Sequence, residues 1–303
     1  MSVIGLFPGQ GAQHIGMLRH SLTLPSVQSL CKLASDTLGY DLAEICKSGP
    51  HDKLNKTEYC QPATLLASLS SHEIYTQSHN TLSALAGFSV GEISALAVSK
   101  SISYSNAFLF VKHRAEAMQE ASDTTSSAML SISGINVTTV QSILEEYNRE
   151  KHVDLYAVIA NYLAENTCAI SLAKSDINKL SDRFTTAGAR GIKLIPVSGG
   201  FHSQFMSSAT EKILEIVSKI DVQLPTTPVY SNLTAQPYSS VEEISDSLVL
   251  QMTRPVQWYE IMKRLIERYQ KAEFVELGFG KQLLSLLARI DRNAYKLATN
   301  IPP

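Results

Sequence analysis

Residues 87–91 read Gly-Phe-Ser-Val-Gly, a GxSxG pentapeptide. In such a motif the serine stands on a sharp strand-to-helix turn, and the flanking glycines permit a backbone approach that a larger residue would block. The turn exposes the serine hydroxyl. It also sets the next backbone N–H, that of Val90, at the start of a helix, where it can stabilise an oxyanion. The chemistry on offer is nucleophilic attack by Ser89 on an acyl carbon. The pentapeptide alone also fits a Ser/Gly turn with no chemical role.

A serine hydroxyl needs a base. Of eight histidines, His14, His20, His51, His72, His79, His113 and His152 have the polar or mixed neighbours of surface positions. His202 differs: it sits in Ser198-Gly199-Gly200-Phe201-His202-Ser203, a glycine-rich loop after an apolar run. Loops at strand ends are where α/β folds place reactive groups. Position alone leaves His202 between a base and a loop histidine with a structural hydrogen bond. Arg114 is the third candidate. Ala107, Phe110, Val111 and Met118 lie three, four or seven residues from it, so it shares the inward stripe of its helix. A buried arginine must be paired, and its fork fits a carboxylate. The residues by themselves favour a buried Asp or Glu as that partner.

The elements that must position these groups can be read from periodicity. An apolar run over 3–7 ends in Pro8-Gly9-Gln10-Gly11 and reads as a buried strand running into a tight loop. Helices are predicted over 26–45, 61–76, 91–100 and 103–121, with a strand over 82–87. Over 128–197 the rhythm changes: strand 128–133, helix 137–150, strands 154–160 and 168–173, helix 175–187 capped by Ser175 and ended at Gly188, then strand 192–197. That β-α-β-β-α-β order is the ferredoxin-like pattern. Strand 228–231, helices 241–252 and 258–270, strand 272–277 and helix 281–290 complete the chain. The expected fold is α/β. An α/β-hydrolase-like body with a parallel sheet is formed by residues 1–126 and 198–303, and a small ferredoxin-like α+β unit, 127–197, is inserted in it.

Composition narrows the classes. Of the 303 residues 44% are hydrophobic and 18% charged, with a net charge of −2, which suits a folded core and leaves no basic run for nucleic acid. No apolar run reaches the roughly 20 residues of a membrane span. The four cysteines form no CxxC pair, which fits a reducing compartment. The opening residues carry neither a signal peptide nor an Arg-rich leader, so the protein is expected to act where it is made or to have lost a leader.

Several motifs together resemble one family. Phe7-Pro8-Gly9-Gln10-Gly11-Ala12-Gln13 resembles the FPGQGxQ opening of the malonyl-CoA:acyl carrier protein transacylases and polyketide acyltransferase domains. Gly87 to Glu92 resembles their GHSxGE elbow, with Phe88 for histidine as in animal mitochondrial members. Arg114 to Gln119 resembles the RxxxMQ helix and Phe201-His202-Ser203 the histidine loop. Residues 254–258, Arg-Pro-Val-Gln-Trp, and 276–280, Glu-Leu-Gly-Phe-Gly, resemble the closing xPVQW and ExGPG segments.

The resemblance implies roles. Ser89 would be the nucleophile and His202 its base. Gln10 and Val90 would supply oxyanion-hole N–H groups, and Gln251 would orient the imidazole through its backbone carbonyl. Arg114 would bind the free carboxylate of malonyl, with Gln61, Asn161 and Phe201 about the acyl pocket; the Phe201 ring would crowd an α-methyl branch. The reaction would be ping-pong transfer from coenzyme A to an acyl carrier protein in fatty-acid synthesis, with no metal or other cofactor. A monomer in the mitochondrial matrix is implied, the cytoplasm being the alternative. The competing activity is a serine thioesterase or hydrolase built on the same GxSxG, whose histidine would fall later in the chain, after an acidic loop.

Overall fold

The computed structural model describes residues 2–303 apart from 12, 20, 78–80 and 152–155. Ala12, His20, His79, His152 and the expected strand start at Asp154 therefore lie outside the described residues. Nine strands are described: β1 (Val3–Phe7), β2 (Ala84–Gly87), β3 (Ser127–Ser133), β4 (Val158–Ala164), β5 (Thr167–Ala173), β6 (Gly191–Leu194), β7 (Val229–Tyr230), β8 (Glu273–Leu277) and β9 (Ala298–Ile301). They form two sheets. One is parallel, in the order β7-β2-β1-β8-β9, and the other antiparallel, in the order β4-β5-β3-β6.

The parallel sheet is buried on both faces, which is why its strands read as apolar runs. Alternation along β1 and β2 divides its two cores. Ile4, Leu6, Ala84 and Ala86 pack with Trp258, Met262 and Leu283, whereas Phe7 and Leu85 pack with the helices Thr57–Thr76, Val90–Val98 and Tyr104–Thr124. The antiparallel sheet sorts its residues the same way. Leu130, Ile132, Ile170 and Leu172 face the helices Val137–Lys151 and Ile177–Thr186, while Met129 and Ala169 join the core that holds Phe201. Backbone bonds tie the second sheet to the first body: Tyr162 N–H to Val256 O and Val256 N–H to Ala160 O, both 2.9 Å.

Four expectations are corrected. The helix expected over 26–45 is two, Pro25–Leu38 and Leu42–Ser48. Gly39 closes the first at φ 83°, and Asp41 caps the second by accepting Glu44 N–H. The strand expected over 154–160 is β4, which starts at Val158, because Asn148 exchanges two side-chain bonds with the Ala157 backbone and holds it against the preceding helix. Ser175 caps no helix; it lies in a 3₁₀ turn, Lys174–Asp176, with its hydroxyl on Asp176. His72 is half-buried, not a surface residue. The helix Thr210–Val217 and strand β9 were unforeseen.

Candidate active site

Ser89 stands between β2 and the helix Val90–Val98 at φ 55°, a conformation with strain of about 1–3 kcal/mol for a non-glycine residue. Both motif glycines are required by contact. A Cβ on Gly87 would lie 2.0 Å from the Gly91 carbonyl, and one on Gly91 would lie 2.1 Å from Phe7 O. Asn232 clamps the turn. Its Oδ1 accepts Ser89 N–H at 2.8 Å and its Nδ2 donates to Gly87 O at 2.6 Å.

The loop after β6 carries His202, also at φ 55°. Two serines of the antiparallel sheet pin it: Ser127 Oγ accepts Gly200 N–H, and Ser171 Oγ donates to Phe201 O. His202 Nε2 lies 2.8 Å from Ser89 Oγ, and His202 Nδ1 lies 2.8 Å from Gln251 O. A carbonyl only accepts, so Nδ1 carries the proton and Nε2 presents a lone pair to the serine hydroxyl. Burial, with the Arg114 charge behind it, pushes the imidazole pKa down to about 3. His202 is therefore a neutral acceptor at any physiological pH.

Arg114 is buried beneath Ser89. Its Nη1 donates to Gln61 Oε1 at 2.5 Å, and its Nη2 to Gln251 Oε1 at 2.6 Å and to Ser89 Oγ at 3.2 Å. Its Nε has no partner among the described residues. No carboxylate lies within salt-bridge distance of it among the described residues, so the buried acid that the sequence alone favoured as partner is not in contact. The nearest acid in the network, Glu92, is reached only through the Gln251 amide. Burial pushes the Glu92 carboxyl up to about 7, against the pull of its hydrogen bonds and of Arg114.

A cavity of about 450 Å³ opens on Ser89 and His202 between the two sheets. Met129, Asn161 and Phe201 line one side and Gln10, Phe88 and Arg289 the other. Asn161 is buried with its Nδ2 unpartnered among the described residues, a donor left for a ligand. Arg114, Gln61 and Gln251 are not walls of this cavity; they form the floor behind the serine, and Gln61 ties that floor to Gln10 at 3.4 Å. The backbone N–H groups of Gln10 and Val90 engage no acceptor among the described residues. Val90 begins the helix after Ser89 and Gln10 edges the cavity, so two donors unpartnered among the described residues flank Ser89.

The expected residues thus gather around Ser89. Gln10, Asn161, Phe201 and His202 meet it at the cavity, Arg114, Gln61 and Gln251 lie on the floor, and Val90 stands at the elbow. Sequence reasoning missed Asn232, Ser127 and Ser171, which touch the elbow and the histidine loop from far along the chain. Glu92 was part of a quoted motif but received no role.

Comparison with known proteins gives this geometry a family. The family model described as an acyl transferase domain matches residues 5–302. The chain is 36% identical to the mitochondrial malonyl-CoA-acyl carrier protein transacylase of Mus musculus, covering 98% of this chain and 81% of that protein. It is 32% identical to the malonyl CoA-acyl carrier protein transacylase of Escherichia coli K12, over 98% and 95%. The solved malonyl CoA-acyl carrier protein transacylase from Coxiella burnetii superposes with a TM-score of 0.93 at 30% identity, over 99% and 94%. A malonyl-transacylase solved in complex with a type II PKS acyl-carrier protein gives 0.91 at 29%, over 99% and 95%.

Proposed function

The chain belongs to the acyl transferase domain family, and from that premise we propose that it moves a malonyl group from malonyl-CoA to the phosphopantetheine thiol of an acyl carrier protein, through an ester on Ser89, in fatty-acid synthesis. One observation carries the substrate: a buried guanidinium, held by neutral amide oxygens, lies 3.2 Å from the nucleophile with no acid paired to it among the described residues. A buried charge asks for a partner, and the free carboxylate of a malonyl ester is the right charge at that distance.

Ser89 Oγ attacks the thioester carbon as His202 Nε2 takes its proton. The oxyanion is held by the N–H groups of Gln10 and Val90, each worth about 3–4 kcal/mol by analogy with other oxyanion donors. The C–S bond breaks, and the CoA sulfur leaves with the proton from His202. The carrier thiol then gives its proton to Nε2 and attacks the ester, and Ser89 recovers its hydrogen as the acyl thioester departs. Every proton in this sequence is handled by Ser89, His202 and the two thiols, so the reading needs no metal or redox cofactor. A backbone carbonyl, Gln251 O, steadies the imidazole where a hydrolase would use an acid. The malonyl carboxylate assists the same step, since pairing Arg114 removes the positive charge that disfavours the imidazolium.

The same reading takes residues 127–197 as a ferredoxin-like insert in an α/β-hydrolase-like body. The all-antiparallel order β4-β5-β3-β6 supports the first description. Three animal relatives named as mitochondrial support a place in the mitochondrial matrix. A monomer is proposed, with no second copy needed to complete the site.

Intact-protein mass spectrometry tests the reaction. Malonyl-CoA should add one malonyl group, located at Ser89, and holo-carrier protein should discharge it far faster than water does. Discharge to water at the same rate with or without carrier would turn the reading into a thioesterase. The imidazole makes a second expectation. Between pH 8 and 5 the ring resonances of His202 and His72 should not titrate in a histidine-labelled sample, since burial lowers their pKa values to about 3 and about 4. A resonance that titrates near pH 6.5 and vanishes in His202→Gln would show the base to be charged where neutrality is required.

A further inference from the structure

Glu92 lies fully buried in the first turn after the nucleophile and joins two arms of the site. Its Oε1 accepts Asn232 N–H at 2.7 Å and Tyr238 O–H at 2.8 Å. Asn232 is the residue that clamps Ser89 and Gly87, so this arm supports the elbow. Its Oε2 accepts the Gln251 Nε2–H. Gln251 turns its other amide atom, Oε1, to Arg114, and its backbone carbonyl to His202.

The donor–acceptor polarity along this second arm is forced. A guanidinium only donates, so Gln251 must offer it oxygen. The NH₂ end of Gln251 is then buried and needs an acceptor. Among the described residues it finds Glu92 Oε2 and, more distantly, Ser89 O at 3.3 Å. An acid at position 251 would have paired Arg114 outright and competed with an incoming carboxylate. Setting the acid one amide farther back orients the guanidinium while leaving its charge unpaired.

We propose that Glu92 is a specificity-determining positioning residue: by accepting the Gln251 amide N–H it keeps the Gln251 oxygen on Arg114, and so keeps the guanidinium aimed at an acyl carboxylate beside Ser89. The proposal rests on Arg114 as the reader of that carboxylate. It separates two roles of one side chain. In Glu92→Gln the remaining oxygen still serves Asn232 and Tyr238, so the elbow keeps its clamp. The new NH₂ group faces the NH₂ of Gln251. Relief requires Gln251 to flip, which turns a donor toward Arg114 and displaces the guanidinium.

The test is steady-state transfer from malonyl-CoA and from acetyl-CoA by wild type, E92Q and the double variant E92Q/Q251E. In E92Q kcat/KM for malonyl-CoA should fall about 10- to 100-fold, chiefly through KM, while that for acetyl-CoA changes by less than about threefold. A merely structural loss would lower both substrates alike. In the double variant every donor again meets an acceptor, since the amide introduced at position 92 donates to the carboxylate introduced at position 251, which also pairs Arg114. It should regain wild-type thermal stability without regaining the malonyl preference. Should E92Q fail to fold, the double variant decides alone, and a malonyl preference in it overturns the proposal, as does an undiminished preference in folded E92Q. If wild type and Arg114→Ala show the same preference, the reading of Arg114 fails and the role of Glu92 falls with it; if Arg114→Ala loses the preference and folded E92Q keeps it, the role of Glu92 alone is overturned.

Discussion

Ser89→Ala is expected to transfer malonyl at least about 10⁴-fold more slowly than wild type, because residues that act as one nucleophilic unit lose nearly all their effect together. The variant should fold normally. Among the described residues the hydroxyl bonds only to His202 and Arg114, and the strained backbone at φ 55° is held by Asn232 and by the contact of Gly91 with Phe7, not by the side chain. It should take up no malonyl group from malonyl-CoA in the mass spectrum. His202→Ala should lose a similar factor, and the double variant little more, since neither residue does chemistry without the other. A covalent malonyl adduct on Ser89→Ala, at any site that a carrier protein can discharge, would remove Ser89 from the mechanism.

Arg114→Ala is the second expectation of large size. Removing one member of a buried charge pair is worth about 3–5 kcal/mol, so kcat/KM for malonyl-CoA should fall by about 10²- to 5 × 10³-fold. Acetyl-CoA should behave in the opposite sense. It brings no carboxylate to the guanidinium, and in wild type the uncompensated charge of Arg114 opposes protonation of His202 during attack. With the charge gone, acetyl transfer should hold steady or rise. The measurement is the ratio of the two kcat/KM values; an unchanged ratio would mean that the carboxylate is read elsewhere.

Ser89 was legible because its signals are local, whereas His202 was singled out as a base only through the family resemblance. A serine between two glycines, with an apolar strand before and a helix after, leaves few conformations, and the contacts of Gly87 and Gly91 show why only glycine serves at either position. Arg114 was legible as an inward residue from helical spacing, but its partner was not. Spacing reports which way a side chain points and says nothing of what it meets, and here it meets amides from positions 61 and 251. Asn232 lies in Ser231-Asn232-Leu233-Thr234, which has the composition of any turn; its task is set by a strand 145 residues earlier. The boundary errors have the same origin. β4 begins where Asn148 releases the backbone, and β9 exists because β8 offers an edge to the polar segment Ala-Thr-Asn-Ile.

The backbone bonds between β4 and Val256 bear on what holds the cavity's two walls together. They fasten the antiparallel sheet to the parallel body along one side, next to the segment that runs from Gln251 to Trp258. At the other edge of that sheet β6 has exposed residues and, among the described residues, no strand beyond it. That side is where the chain enters and leaves the sheet, and Ser198 Oγ meets Thr57 Oγ1 of the body there at 2.7 Å. The seam side holds Asn161, and the opposite side leads into Ile195 and Val197, which also line the cavity. Anchored on both sides, the sheet holds its wall of the cavity in register with Gln251, and through Gln251 with the imidazole and the guanidinium.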